Sequence, residues 1–205
     1  MTRVALFGGT FDPVHVAHLI LAECALEEAR LERVIFVPAR RSPHKPDVDP
    51  APDADRLQML RLATEGNDRF DVSDLEMQRP QPSYTLTTVR QFRDRLGPQC
   101  RLCLLLGADS IRGLASWWRV RELLEEVEVV AFARPGAPLE NLCVLESQLG
   151  AAAVERLRRG LIRAPLLEVS AAGIRESLRA GRSVRYLVPE PVRRHIRERG
   201  LYRQA

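Results

Sequence analysis

Short apolar runs alternate with longer amphipathic ones along this chain. Val4-Ala5-Leu6-Phe7, Arg33-Val34-Ile35-Phe36-Val37, Phe70-Asp71-Val72, Cys100 to Leu106, Val127 to Phe132 and Leu166 to Val169 read as strands. Leu102-Cys103-Leu104-Leu105-Leu106 is apolar at every position, as expected of a strand covered on both faces. Between these runs, Leu19 to Arg30, Asp53 to Glu65, Thr85 to Leu96 and a stretch around Arg119 to Glu126 read as helices. In the second of them Leu57, Leu60 and Ala63 share one face. Gly173 to Arg179 and Pro189 to Arg199 read as short C-terminal helices. The alternation predicts an α/β fold, a doubly wound parallel sheet with right-handed crossovers and a small helical part at its C-terminal end. No repeat, linker or low-complexity tract interrupts it, so residues 1–205 read as a single domain, long enough to bury a sizeable core. The proline-containing stretch from Ala39 to Pro52 is the long irregular segment, and such segments in compact domains are often functional.

Ligands in sheets of this kind bind beyond the carboxyl ends of the strands. Two candidate segments lie at such ends, Gly8-Gly9 after the first strand and Gly107-Ala108-Asp109 after the fourth. Paired glycines at a strand-to-helix turn let a ligand approach the backbone and expose N–H groups, and the helix N-terminus that follows favours negative charge. His15 and His18 sit one helical turn apart at that end, so both can face one ligand. Local physics alone therefore predicts a phosphate site here.

Composition narrows the ligand. A formal net charge of +4 suits small anionic substrates but is too mild to argue for nucleic acid, and the arginines are dispersed rather than clustered. No apolar run approaches the roughly 20 residues that span a bilayer, and a strand begins almost at once, leaving no room for a signal peptide; a cytoplasmic protein is expected. Cys100-x-x-Cys103 falls in a strand, where residues three apart point to opposite faces. With no second pair to complete a zinc site, Cys24, Cys100, Cys103 and Cys143 read as structural thiols. Two histidines are too few for a resident metal centre. Neither a P-loop nor a Gly-x-Gly-x-x-Gly pattern occurs.

The string Gly8-Gly9-Thr10-Phe11-Asp12-Pro13 with His15 and His18 resembles the signature of the nucleotidylyltransferase superfamily. That superfamily usually carries His-x-Gly-His; Ala17 stands here for the glycine and still permits close backbone approach. Further segments resemble its nicotinate mononucleotide branch. Pro43-His44-Lys45 matches a Pro-His-Lys segment and implies that Lys45 reaches the ATP phosphates. Pro82-Ser83-Tyr84-Thr85 precedes a helix. Its Ser and Thr read as helix caps from local chemistry, and the resemblance adds that Ser83, Tyr84 and Thr85 hold the pyridine carboxylate. Ser116-Trp117-Trp118 implies Trp117 stacked on the nicotinate ring, with Trp118 as packing; Gly107 and Asp109 would lie by the nucleotide, and Asp12 and Arg134 by the mononucleotide. Val169-Ser170-Ala171-Ala172-Gly173-Ile174-Arg175 resembles Ile-Ser-Ser-Thr-x-Ile-Arg. Ser170, Ile174 and Arg175 match, and Ala172 replaces the usual threonine.

The resemblance covers essentially the whole chain. It implies a Rossmann-like nucleotidylyltransferase fold and adenylyl transfer from ATP to nicotinate mononucleotide, a step of NAD biosynthesis. Magnesium would ride on the ATP. Gly8, Gly9, Thr10 and Phe11 would line the ATP site, and His15, His18, Lys45 and Arg175 would neutralise charge on the triphosphate. The competing readings are another transferase of the superfamily, such as a phosphopantetheine adenylyltransferase or a cytidylyltransferase, and a non-catalytic nucleotide-binding protein. Self-association stays open.

Overall fold

The computed structural model describes residues 2–41, 49–133 and 140–203. Six strands form one sheet: β1 (Thr2–Gly9), β2 (Arg33–Pro38), β3 (Phe70–Val72), β4 (Cys100–Leu106), β5 (Glu128–Ala133) and β6 (Leu161–Arg163). Their order is β3-β2-β1-β4-β5-β6, and the β1–β4, β4–β5 and β5–β6 ladders are parallel. The order reverses beside β1, so the first strand–helix turn emerges where a doubly wound sheet opens its crevice. The helices are α1 (Val16–Glu28), α2 (Asp53–Thr64), α3 (Thr85–Leu96), α4 (Ala108–Arg112), α5 (Val120–Glu126), α6 (Glu140–Leu149), α7 (Ala151–Arg159), α8 (Ala171–Arg179) and α9 (Glu190–Glu198). Among the described residues no helix is long and apolar enough to cross a membrane.

By contact density the chain divides into two compact units. The first comprises Met1–Gly8, Leu21–Ile35 and Tyr84–Leu166. Its core is strand-built: Val4 to Leu6, Leu102 to Leu106 and Val129 to Phe132 are buried, which is why these runs are apolar without alternation. The α3 helix adds Leu86, Val89 and Phe92 at helical spacing. Gly160 packs so closely that a Cβ there would lie 1.7 Å from the Val129 carbonyl oxygen, while its own carbonyl accepts the Ala131 N–H at 2.8 Å. Cys24, Cys100 and Cys103 are free thiols; burial pushes the Cys103 thiol up to about 11, as for an inert core cysteine.

The second unit comprises Gly9–Ile20, Phe36–Ser83 and Leu167–Ala205. Here α2 and α9 are tied by a buried carboxylate: Asp55 Oδ1 accepts from His195 Nε2 and from Arg199 Nε, each at 3.0 Å. Phe36 packs edge-on against Phe11 and Phe70.

Two sequence expectations are corrected. The strand expected at Leu166 to Val169 is irregular chain; the sixth strand is Leu161–Arg163, placed by its ladder with β5. The helices α6 and α7 add to the elements expected from sequence, and α7 buries Val154 and Leu157 at helical spacing.

Candidate active site

The glycine turn is built as its residue types require. A Cβ on Gly9 would stand 3.0 Å from the Phe11 ring, whereas one on Gly8 would meet nothing within 4 Å. Packing thus explains the glycine at position 9, whereas position 8 opens onto unfilled space. Phe11 takes a left-handed backbone (φ 49°) that buries its ring edge-on to His18, centroids 5.0 Å apart. Thr10 lies half-buried just before it.

His15 and His18 are brought together. Their rings stack with centroids 3.7 Å apart and planes 26° from parallel. The backbone N–H of His15 donates to His18 Nδ1 at 3.2 Å. An imidazole nitrogen that accepts cannot carry the proton, so neutral His18 bears its hydrogen on Nε2. His15 is 6% exposed, and its Nδ1 is buried without a hydrogen-bond partner. Burial holds His15 down to about 4 and, aided by repulsion from His15, holds His18 well below the ordinary imidazole range. Burial thus favours the neutral form of both rings in the unliganded protein.

Asp12 is a buried hub. Its Oδ1 accepts from the Tyr202 hydroxyl at 2.6 Å and from the Ala51 N–H at 3.1 Å. Arg175 Nη1 donates to the Asp12 carbonyl at 2.6 Å and lies 3.5 Å from Oδ2. Arg175 also lines a cavity of about 610 Å³ with Arg179 and Tyr202, so it faces open space while bonded. Ser170 Oγ accepts the Gly173 N–H at 3.1 Å and caps α8. Ile174 is core, and its N–H is bonded to the Ser170 carbonyl; it sets the helix in place. From sequence, Leu201-Tyr202 only extends the family resemblance and carries no chemistry; its hydrogen bond to Asp12 comes from the fold. Tyr202→Phe is expected to lower unfolding stability by about 1.5–3 kcal/mol, the scale of a hydrogen bond to a charged partner. Urea denaturation checks this; an unchanged midpoint would remove Tyr202 from the hub.

The pyridine-side candidates are placed as follows. Tyr84 is the residue that starts α3, and no side chain caps that helix. The expectation that Ser83 or Thr85 caps it is thereby overturned: Ser83 precedes the cap and Thr85 is already helical. The Ser83 hydroxyl is buried and unpartnered, which costs free energy unless a ligand satisfies it. Trp118 is not core packing. It is 44% exposed, stacks on Tyr84 at 4.7 Å and lies under the Arg119 guanidinium at 5.3 Å. Trp117 is half-buried and ends the 3-10 turn Leu114–Ser116. Gly107 starts α4, on which Asp109 falls. Lys45 and Arg134, and the side chain of Asp109, lie outside the described residues.

Comparison with known proteins gives this geometry its context. Residues 6–177 match the cytidylyltransferase-like family. A relative from Moorella thermoacetica, named "Probable nicotinate-nucleotide adenylyltransferase", is 44% identical over 202 residues, covering 98% of this chain and 92% of the relative. One of the same name from Thermus thermophilus is 44% identical over 201 residues, covering 98% and 100%. The fold is that of the Plasmodium falciparum nicotinic acid mononucleotide adenylyltransferase solved in complex with NaAD, with a TM-score of 0.78 over 98% of both chains at 17% identity. A glycine turn with two stacked histidines, on a sheet of this order and with relatives this close along the whole chain, places the protein in the cytidylyltransferase-like family, within its nicotinate-nucleotide adenylyltransferases.

Proposed function

We propose that this chain transfers the adenylyl group of ATP to nicotinate mononucleotide, giving deamido-NAD and pyrophosphate, and that its histidine pair carries the chemistry. An oxygen of the mononucleotide 5′-phosphate attacks the α-phosphorus of ATP in line. The new P–O bond forms as the bond to the bridging oxygen breaks, and that electron pair leaves with pyrophosphate. A phosphate is already a nucleophile at neutral pH, so positioning and charge stabilisation suffice.

The observation that carries this reading is the pair itself: two neutral, stacked imidazoles beside a glycine turn, one with an unsatisfied buried nitrogen. His18 Nε2–H is suited to donate to the phosphoryl oxygen on which charge builds. His15, Lys45 and Arg175 complete the set assigned to the triphosphate, with Gly8, Gly9, Thr10, Phe11, Gly107, Asp109, Ser170 and Ile174 around ATP. Asp12, Ser83, Tyr84, Thr85, Trp117 and Arg134 are assigned to the mononucleotide.

Magnesium would add positive charge on the phosphates. No group of three or more His, Cys, Asp or Glu side chains among the described residues is placed to hold it, and Asp12 Oδ1 is already engaged. That donor set fits an ion held by phosphate oxygens and water.

Pyrophosphate release from ATP, with nicotinate mononucleotide, nicotinamide mononucleotide, phosphopantetheine and glycerol phosphate offered in turn, tests the substrate assignment. Turnover with nicotinate mononucleotide is expected to exceed the rest; a preference for another acceptor would refute it. The unpaired Ser83 hydroxyl and the uncapped α3 amides favour the acid over the amide, whose N–H₂ would leave buried donors unpaired. Trp117→Ala is expected to weaken the mononucleotide by roughly 1–3 kcal/mol, the scale of base–aromatic stacking, with ATP affinity nearly unchanged. A mononucleotide KM that stays at the wild-type value would defeat the stacking role.

A further inference from the structure

Arg56 is a fully buried arginine, at 0% exposure, in the first turn of α2. Its guanidinium donates to the Thr10 and Ala39 carbonyls at 2.7 Å, to the Ala51 carbonyl at 3.0 Å and to the Arg40 carbonyl at 3.3 Å. It also pairs with the Asp53 carboxylate. One cation thus holds the chain after β1, the chain after β2 and the chain entering α2. Burying a charge is costly unless it is paired and hydrogen-bonded, and here all three nitrogens are used.

A guanidinium with no exposed surface cannot touch a substrate. Its influence passes through what it holds. Thr10 adjoins Phe11, whose ring lies edge-on to His18. Ala51 is held at both polar groups, its carbonyl by Arg56 and its N–H by Asp12, and Asp12 in turn binds Arg175 and Tyr202. Ala39 is also tied to the turn directly, donating its N–H to the Gly9 carbonyl at 2.9 Å.

From this we infer that Arg56 is a positioning residue for adenylyl transfer: it sets the glycine turn, and with it His18 and, through the Asp12 backbone carbonyl, Arg175, on the ATP side of the reaction. The inference rests on the proposed assignment of His18 and Arg175 to ATP. Lysine cannot substitute, because three donors on one nitrogen do not span carbonyls on three segments.

The test compares Arg56→Lys with the full-length wild-type chain by steady-state kinetics in both substrates, by ATP binding calorimetry, and by urea denaturation to establish the folded fraction. The expected result for the folded variant is a fall of at least tenfold in kcat/KM for ATP, with the KM for nicotinate mononucleotide within twofold of wild type. A general loosening of the fold would instead raise both KM values together, and that outcome, or kinetics within twofold of wild type, overturns the proposal. Should Arg56→Lys not fold, Asp53→Asn supplies the answer. It removes the carboxylate that orients the guanidinium and leaves the four carbonyls, so a loss of about two- to fivefold confined to ATP is expected, and unchanged ATP kinetics overturns the proposal. If wild type itself does not turn over nicotinate mononucleotide, the assignment of function fails by that result alone. Calorimetric ATP affinity, weakened in the variant or unchanged, still decides the role of Arg56.

Discussion

Replacing His18 with alanine is expected to lower kcat by about 30- to 1,000-fold, equivalent to about 2–4 kcal/mol of transition-state stabilisation, the scale of one preorganised donor to a developing oxyanion. The bond from the His15 N–H to His18 Nδ1 leaves the proton on Nε2. A neutral donor in a partly dry site gains strength as charge moves onto the α-phosphoryl oxygens, so the loss should fall on kcat more than on the KM for ATP. Alanine also removes the acceptor that holds the His15 N–H, and a separate control isolates that effect. His18→Asn keeps an acceptor near the Nδ1 position and lacks the Nε2 donor, so it should fold like wild type and still lose turnover like the alanine variant. Near-normal turnover in either variant would take His18 out of the mechanism.

The second large effect concerns acid stability. His15 titrates at about 4 in the folded protein against 6.5 for an ordinary imidazole, because burial disfavours its charged form. Between those values the unfolded chain binds more protons than the folded one, so stability falls as the pH drops from 6.5 to 4 and is flat with respect to this group below that. At 1.4 kcal/mol for each pH unit, His15 contributes a loss of about 3 kcal/mol over that window. His18 shifts in the same direction and deepens the loss. Carboxylates titrate in the lower part of the same range, so the informative quantity is the difference between wild type and His15→Asn. The variant's unfolding free energy from urea titrations should decline about 3 kcal/mol less between pH 7 and pH 4. Parallel pH curves for the two proteins would show that His15 is not held neutral by burial.

Much of the site was legible because its parts are local. A pair of glycines between an apolar run and an amphipathic one specifies a strand, a turn and a helix start within twenty residues. Two histidines three apart across a helix start can share a face, and the structure stacks them. The strands β1, β2, β4 and β5 were legible for a similar reason: a central parallel strand is covered on both sides, so it is apolar without alternation. The segment Pro82 to Thr85 was legible as a helix start, yet the choice of cap was not. Which residue takes the cap depends on where the chain arrives, and the chain places Tyr84 there with Ser83 turned inward.

The sequence by itself determined the strand–helix alternation from β1 to β5, the glycine turn, the histidine pair and the class of ligand they suit, because each follows from the chemistry of neighbouring residues. Tertiary structure alone decided the rest. The Tyr202 hydroxyl meets Asp12 across 190 positions, and the Asp55 carboxylate meets His195 across 140. Arg56 reads as one more helical arginine until the ends of β1 and β2 fold around it. The sixth strand is three residues long and has no pattern of its own; β5 supplies its hydrogen-bond partners. Even the protonation state of the histidines belongs to this level: His15 and His18 are neutral because the folded chain takes them out of water, and no local motif encodes that desolvation.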